Sequence, residues 1–235
     1  MKPDTNWLGA LPTDRLLAEM SLWSADLGSL TAEIRRVDAL TDIYHIDVAD
    51  GHFSPALLFF PDLVAVSRKT SAKPLHVHLM ATDDILLDQI KQFAEAGADL
   101  ISVHAENGNI SEALDLIDQL GLVSGIVLQL QTAVKDVEPH LGRISMLTLL
   151  GTRIGVKGQD LDEQACPRLQ EAKAMIAARS STNRIVLAAD GGIREHTVPS
   201  LRRAGAETVV MGSLAFNAED FDKRMAWIHA QPREA

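Results

Sequence analysis

From residue 18 to residue 229 the chain repeats one rhythm: a short apolar, often β-branched run, a polar turn, then a longer stretch with apolar residues at helical spacing. The runs at 18–22, 43–48, 75–80, 100–104, 124–128, 145–150, 184–189 and 208–211 predict strands. Helices are predicted over 29–40, 84–96, 111–120, 161–179, 195–204 and 219–229. In the first of these, Leu30, Ile34, Val37 and Leu40 fall roughly on one face; in the second, Ile85, Leu86, Ile90 and Phe93 do. Ser111 predicts an N-cap. Glu95-Ala96-Gly97-Ala98 and Arg203-Ala204-Gly205-Ala206 each read as a helix end, a glycine able to turn the chain, and the entry to a strand. Eight such units without a linker predict an α/β fold, a single (β/α)8 TIM barrel over residues 1–235. Residues 1–16 form an N-terminal extension that either plugs the barrel bottom or frays. The rival is an open doubly wound sheet, which would show fewer units and often a glycine-rich turn after the first strand. Here that turn is Trp23-Ser24-Ala25-Asp26.

Composition narrows the partners. At 235 residues and 46% hydrophobic the chain can bury a large core, and α/β barrels reach this length as one domain. A formal charge of −10 argues against a nucleic-acid groove or an anionic membrane surface. The scattered Trp7, Trp23 and Trp227 offer no platform for stacked bases. Cys166, the one cysteine, excludes an internal disulfide and a cysteine-cluster zinc site, and its helical position reads as packing. No apolar run approaches the ~18 residues of a membrane span. The opening MKPDTNWLGALPTDR lacks a basic start followed by an apolar core, so a cytoplasmic location is expected. A homo-oligomer stays open.

In a barrel of this kind, chemistry sits at the C-terminal strand ends. His45 and Asp47, two apart, share one strand face with ~6.6 Å of rise between them, while Tyr44, Ile46 and Val48 take the other. This is either an internal salt bridge or a functional pair. His76 and His78 repeat the spacing on the next strand, and the four together offer nitrogen and oxygen ligands suited to Zn²⁺, Mn²⁺ or Fe²⁺. Asp190-Gly191-Gly192 ends the seventh strand with an acid aimed at the mouth and glycines whose N–H groups are open to an anion; a plain turn would look similar. Gly212-Ser213 follows the eighth strand, and the two glycine turns in this order match the usual barrel phosphate site. His104 and Glu106 end the fourth strand and rank below these, as a histidine there commonly hydrogen-bonds a neighbour.

Ser21-Leu22-Trp23-Ser24-Ala25-Asp26, His45-Ile46-Asp47-Val48-Ala49-Asp50-Gly51-His52-Phe53-Ser54-Pro55, Val77-His78-Leu79-Met80, Asp190-Gly191-Gly192 and Gly212-Ser213 together resemble the ribulose-phosphate 3-epimerase family, in order, from about residue 18 to 222. The resemblance implies a ribulose-phosphate-binding barrel that holds one divalent metal ion (Zn, Fe, Mn or Co) on His45, Asp47, His78 and Asp190. It casts Asp47 and Asp190 as the acid/base pair and Ser21 as a lining residue, and it assigns Gly191, Gly192, Gly212 and Ser213 to the substrate phosphate. Gly155 and Gly158 match its substrate-closing loop.

Some positions depart from that pattern. The family's Pro-Gly-aromatic-Gly-Gly-Gln loop is here Ile154-Gly155-Val156-Lys157-Gly158-Gln159 after Thr152 and Arg153, so a proline and a glycine are replaced and two cations enter. Ala49 and Ala56 stand for a methionine and an asparagine, and His76 stands for the acid two residues before the metal histidine. Arg153 and Lys157 read as phosphate or carboxylate ligands, or as solvated side chains; Lys157 could also suggest Schiff-base chemistry. The expected function is metal-dependent 3-epimerisation of a phosphorylated ketose, ribulose 5-phosphate/xylulose 5-phosphate or a related one, through an enediolate. Two alternatives remain: another sugar-phosphate isomerase or lyase on the same barrel, and a non-catalytic sugar-phosphate-binding relative.

Overall fold

The computed structural model describes residues 3, 6–180 and 183–232. Its strands in chain order are β1 (Leu17–Ser21), β2 (Ile43–Asp50), β3 (Leu57–Leu58), β4 (Leu75–Met80), β5 (Leu100–His104), β6 (Val123–Leu128), β7 (Met146–Leu150), β8 (Val186–Asp190) and β9 (Thr208–Met211). All but β3 are parallel, and β1 pairs with both β2 and β9, which closes the sheet into an eight-stranded barrel. The two-residue β3 returns antiparallel against the end of β2, with Ala49 opposite Leu58.

Alternation along each strand sorts the side chains. Tyr44, Ile46 and Val48 of β2, with Val77 and Leu79 of β4, face outward into one continuous apolar layer under the helices. The inward face changes character with depth. At the N-terminal strand ends it is apolar, with Leu17, Ile43, Leu100, Met146 and Val186 in one cluster. Above it lie Glu19, His45, His76 and Ser102, all fully buried, and nearer the mouth Asp47, His78 and His104. A polar interior above an apolar floor is the frame of the site.

The floor is completed from outside the barrel. In α1 (Trp7–Ala10) and the residue after it, Trp7 and Leu11 join the lower cluster. Arg184 Nη1 donates to the carbonyls of Leu8 and Leu11, at 2.9 Å each. Trp7→Ala should therefore cost ~3–5 kcal/mol, the range for truncating a large aromatic core residue. Urea unfolding reads this directly; an unchanged midpoint would show that Trp7 contributes nothing to the floor.

The other helices are α2 (Leu30–Val37), α3 (Pro61–Thr70), α4 (Asp83–Ala96), α5 (Ile110–Gln119), α6 (Ala165–Ala178), α7 (Val198–Ala204), α8 (Ser213–Phe216) and α9 (Phe221–His229). None of the described helices is long and apolar enough to cross a membrane. Sequence periodicity does not predict α3, because its inner face is partly polar: Val64, Ser67 and Arg68 are buried. Arg68 Nη1 donates to Asp99 Oδ2 at 2.6 Å, and the same oxygen accepts from the Leu75 N–H at 2.9 Å. The expected N-cap Ser111 lies inside α5, whose N-cap is Asn109. The helix expected from 161 starts at Ala165, since Leu161 packs against Gly151 and Gly192 instead. A 3-10 segment, Val134–His140, stands between β6 and β7, where the pattern predicts no helix.

Candidate active site

Parallel register builds the site. His45 lies beside His76 and Asp47 beside His78, so two inward layers of β2 and β4 coincide. Asp190, the last residue of β8, reaches the same point across the mouth. His45 Nε2 is 3.1 Å from Asp47 Oδ1 and 3.8 Å from Asp190 Oδ2. His78 Nδ1 is 3.3 Å from Asp47 Oδ1 and 3.7 Å from Asp190 Oδ2. All four donor atoms lie within 4.8 Å of one another. Ligands about 2.0–2.2 Å from a tetrahedral zinc-like ion stand roughly 3.3–3.6 Å apart, so two imidazoles and two carboxylates at these separations can hold a divalent cation.

Hydrogen bonds behind the cluster turn the histidines toward it. His45 presents Nε2 to the cluster while its Nδ1 faces Glu19 Oε1 at 2.8 Å. His78 presents Nδ1, and its Nε2 is 2.9 Å from His104 Nε2. His104 Nδ1 in turn donates to Glu106 Oε2 at 2.9 Å. Burial pushes the His104 imidazolium down to about 4, so the ring is neutral, accepts from His78 Nε2–H and leaves the His78 Nδ1 lone pair facing the site. Glu106 is held at about 2 against the opposing effect of burial by bonds from His104, Thr132 and the Gln129 N–H. Ser21 Oγ donates to Asp47 Oδ2 at 2.9 Å.

The two aspartates differ. Burial raises Asp190 to about 6, assisted by repulsion from Asp47. Burial acts in the same direction on Asp47, but His45 and His78 outweigh it and hold this carboxyl well below its usual range. The pair therefore has one strong and one weak proton acceptor beside the same cavity.

That cavity has a volume of about 410 Å³ and is walled by Ser21, Asp47, His78, Asp190, Gly191, Gly192, Gly212 and Ser213. His45 lies behind its wall, fully buried. Gly191 and Gly192 have φ of 87° and 69°, and a Cβ at Gly192 would stand 2.7 Å from Leu161 Cα. Residues 152–159 form a further part of the wall. Gln159 Nε2 donates to the carbonyls of Arg153 (2.9 Å) and Val156 (2.7 Å), which folds this loop on itself. Gly155 sits so close to the Ser54 turn that a Cβ would meet Ser54 Oγ at 2.0 Å. Lys157 Nζ donates to the Trp23 carbonyl at 2.5 Å and lies 4.5 Å from the Trp23 ring centroid. Arg153 Nε donates to Gln159 Oε1 at 3.3 Å.

The structure brings together His45, Asp47, His78 and Asp190, and it lines one cavity with the glycines, Ser21, Ser213, Arg153, Gly158 and Lys157. His76 does not join them. It sits one layer deeper, with Nδ1 on Glu19 Oε1 and Nε2 2.7 Å from Ser102 Oγ. Sequence reasoning misses Glu19; the available signal is an acid inside the apolar run Leu16-Leu17-Ala18-Glu19-Met20. It also misses Arg194, which lines the cavity beyond Gly192.

Comparison with known proteins agrees with this arrangement. The profile of the ribulose-phosphate 3-epimerase family matches residues 17–216. The ribulose-phosphate 3-epimerase of Bacillus subtilis (strain 168) is 34% identical over 210 residues, covering 88% of this chain and 95% of that protein. The enzyme of the same name from Aquifex aeolicus is 36% identical over 183 residues, covering 77% and 80%. Among solved structures, the 3-hexulose-6-phosphate synthase of Salmonella typhimurium superposes with a TM-score of 0.66 at 17% identity, over 91% of this chain and 96% of that one, a likeness of fold. With the family profile spanning the whole barrel and relatives above 30% identity along most of their length, this chain belongs to the ribulose-phosphate 3-epimerase family, whose chemistry is sugar-phosphate epimerisation.

Proposed function

We propose that the chain is a metal-dependent 3-epimerase of a phosphorylated ketose, with ribulose 5-phosphate and xylulose 5-phosphate as the reference pair. The observation that carries this reading is the meeting of Asp47 and Asp190, from strands separated by β1 and β9, at one donor cluster with their proton affinities pushed apart. Inverting a carbon beside a ketone requires a base on one face and an acid on the other. Asp47 directs Oδ1 and Asp190 directs Oδ2 to the cluster, and the second oxygen of each is left for proton transfer at C3. In one direction the ionised Asp47 takes the C3 proton, steadied by Ser21, and Asp190 returns one to the opposite face. In the reverse direction the roles exchange. A divalent cation on His45, Asp47, His78 and Asp190 supplies, when bound, Lewis-acid polarisation of the C2 carbonyl and stabilisation of the enediolate charge. The two-nitrogen, two-oxygen donor set suits zinc, iron, manganese or cobalt. The turns at Gly191-Gly192 and Gly212-Ser213 are assigned to the substrate phosphate, and the 152–159 loop excludes water above it.

Incubation with tetrulose, pentulose and hexulose phosphates tests the reaction class. A product differing only at C3 is expected; an aldose phosphate or a carbon–carbon cleavage product from each substrate turned over would reject the reading.

The loop cations bear on substrate choice. Lys157 and Arg153 line the cavity with no ion-pair partner among the described residues. A hydrogen bond from a cation to phosphate is worth ~1.5–3 kcal/mol. The Arg153→Ala, Lys157→Ala double variant should thus lose at least about tenfold in kcat/KM on the preferred substrate, mainly through KM. Unchanged kinetics would show that both side chains serve only solvation.

A further inference from the structure

We propose that Glu19 is a positioning residue for the metal site: it sets the tautomer of His45, so that the His45 Nε2 lone pair faces the cation. The proposal rests on the metal-binding reading above.

Glu19 lies inside the barrel on β1, two residues before Ser21, with no exposed surface. Burying a carboxylate is costly unless specific partners compensate. Its ion-pair partners among the described residues are two histidines, with no lysine or arginine among them. His45 Nδ1 and His76 Nδ1 converge on one oxygen, Oε1, while Oε2 is buried with no hydrogen-bond partner among the described residues. The two rings meet edge to face at 4.9 Å. The ionised Glu19 can only accept, so His76 spends its N–H on it, and Ser102 Oγ, 2.7 Å from the remaining His76 Nε2, donates there. An arrangement that leaves one carboxylate oxygen without a partner while loading the other with two imidazoles has its purpose in those imidazoles.

On its other side His45 faces two more carboxylates. Its Nε2 lies 3.1 Å from Asp47 Oδ1 and 3.8 Å from Asp190 Oδ2. Left to those two carboxylates, a neutral His45 would keep its proton on Nε2, where it blocks a metal. Glu19 offers a third carboxylate at 2.8 Å from Nδ1 and draws the proton to that side. The ring then presents a lone pair to the cluster, and the charge behind it strengthens that nitrogen as a donor, as outer carboxylates do for metal-bound histidines. Behind its ring, on the side away from the cluster, His78 reaches a carboxylate, Glu106, through His104, whereas His45 meets Glu19 directly.

The test uses the full chain. Zinc affinity is measured by competition with a chromophoric chelator for wild type, Glu19→Gln and, as a benchmark for ligand loss, His78→Ala. In parallel, long-range ¹H–¹⁵N correlation spectra of ¹⁵N-histidine protein loaded with Zn²⁺ report which nitrogen of His45 carries the proton. Glu19→Gln should bind zinc roughly 10–100-fold more weakly while keeping a stoichiometry of one, and wild-type His45 should be protonated at Nδ1 with Nε2 on the metal. Wild-type affinity in Glu19→Gln, or a loaded wild type with His45 protonated at Nε2, would overturn the proposal. A variant with a lower unfolding midpoint but unchanged affinity and His45 shifts would overturn it too, since Glu19 would then serve the fold alone. Should Glu19→Gln fail to fold, the Nδ1–H proton resonance of His45 in the loaded wild type decides: a strongly downfield shift, as for a proton held by a carboxylate, is expected, and an ordinary imidazole shift would overturn the proposal. A wild type that binds no zinc would overturn the metal-site reading itself, a result distinct from all of these.

Discussion

Asp190→Asn should suppress epimerisation by ~10²–10⁴-fold, the contribution of one positioned acid or base. The carboxamide has the shape of the carboxyl group, and the side chain retains 17% exposure at the cavity wall, so the fold should survive. What is lost is the group that burial poises to hold a proton at about 6. The amide can neither take the C3 proton nor return one, although its oxygen can still face the cluster. Turnover is therefore to be measured at saturating substrate, with bound metal quantified in the same sample. Asp47→Asn should fall at least as far, because Asp47 also orients His45, His78 and Ser21. Near wild-type turnover in both variants with metal bound would reject the assignment.

His78→Ala should remove the metal. His78 offers one of the four donors and is fixed from behind by His104. Its loss opens the cluster on one side and deprives His104 Nε2 of its hydrogen-bond donor. Affinity should drop by more than the roughly 10–100-fold typical of an outer partner, and the dialysed protein should contain little metal and turn over little substrate. Metal analysis after dialysis, with activity titrated against added cation, checks this. Full metal content in the variant, or full activity in a verified metal-free wild type, would contradict the account.

Much of this arrangement was legible in the sequence because strand alternation is a strict rule. Once 43–48 and 75–80 are strands, His45, Asp47, His76 and His78 must point inward, as they do. Alternation says which face, however, and not how deep. His76 and His78 differ by one layer, and that layer separates a partner of Glu19 from a member of the donor cluster. Glu19 itself was hidden because its partners lie 26 and 57 residues away and no local pattern joins them. The α3 helix escaped for a related reason: a buried Arg68 completed by Asp99, 31 residues on, looks polar along the chain. The contact of Lys157 with Trp23 spans 134 residues, so composition revealed the loop's charge while only the fold revealed what the lysine rests on.

The central claim is that Asp47 and Asp190 exchange a proton at C3 of a phosphorylated ketose beside a bound metal ion. Turnover of the best ketose phosphate in D₂O, followed by ¹H NMR with and without prior metal removal, tests it most directly. The account predicts loss of the C3 proton signal in both epimers, retention of both C1 protons, and no exchange in the metal-free protein until cation is restored. Deuterium at C1, or epimerisation that leaves C3 unlabelled, would contradict it.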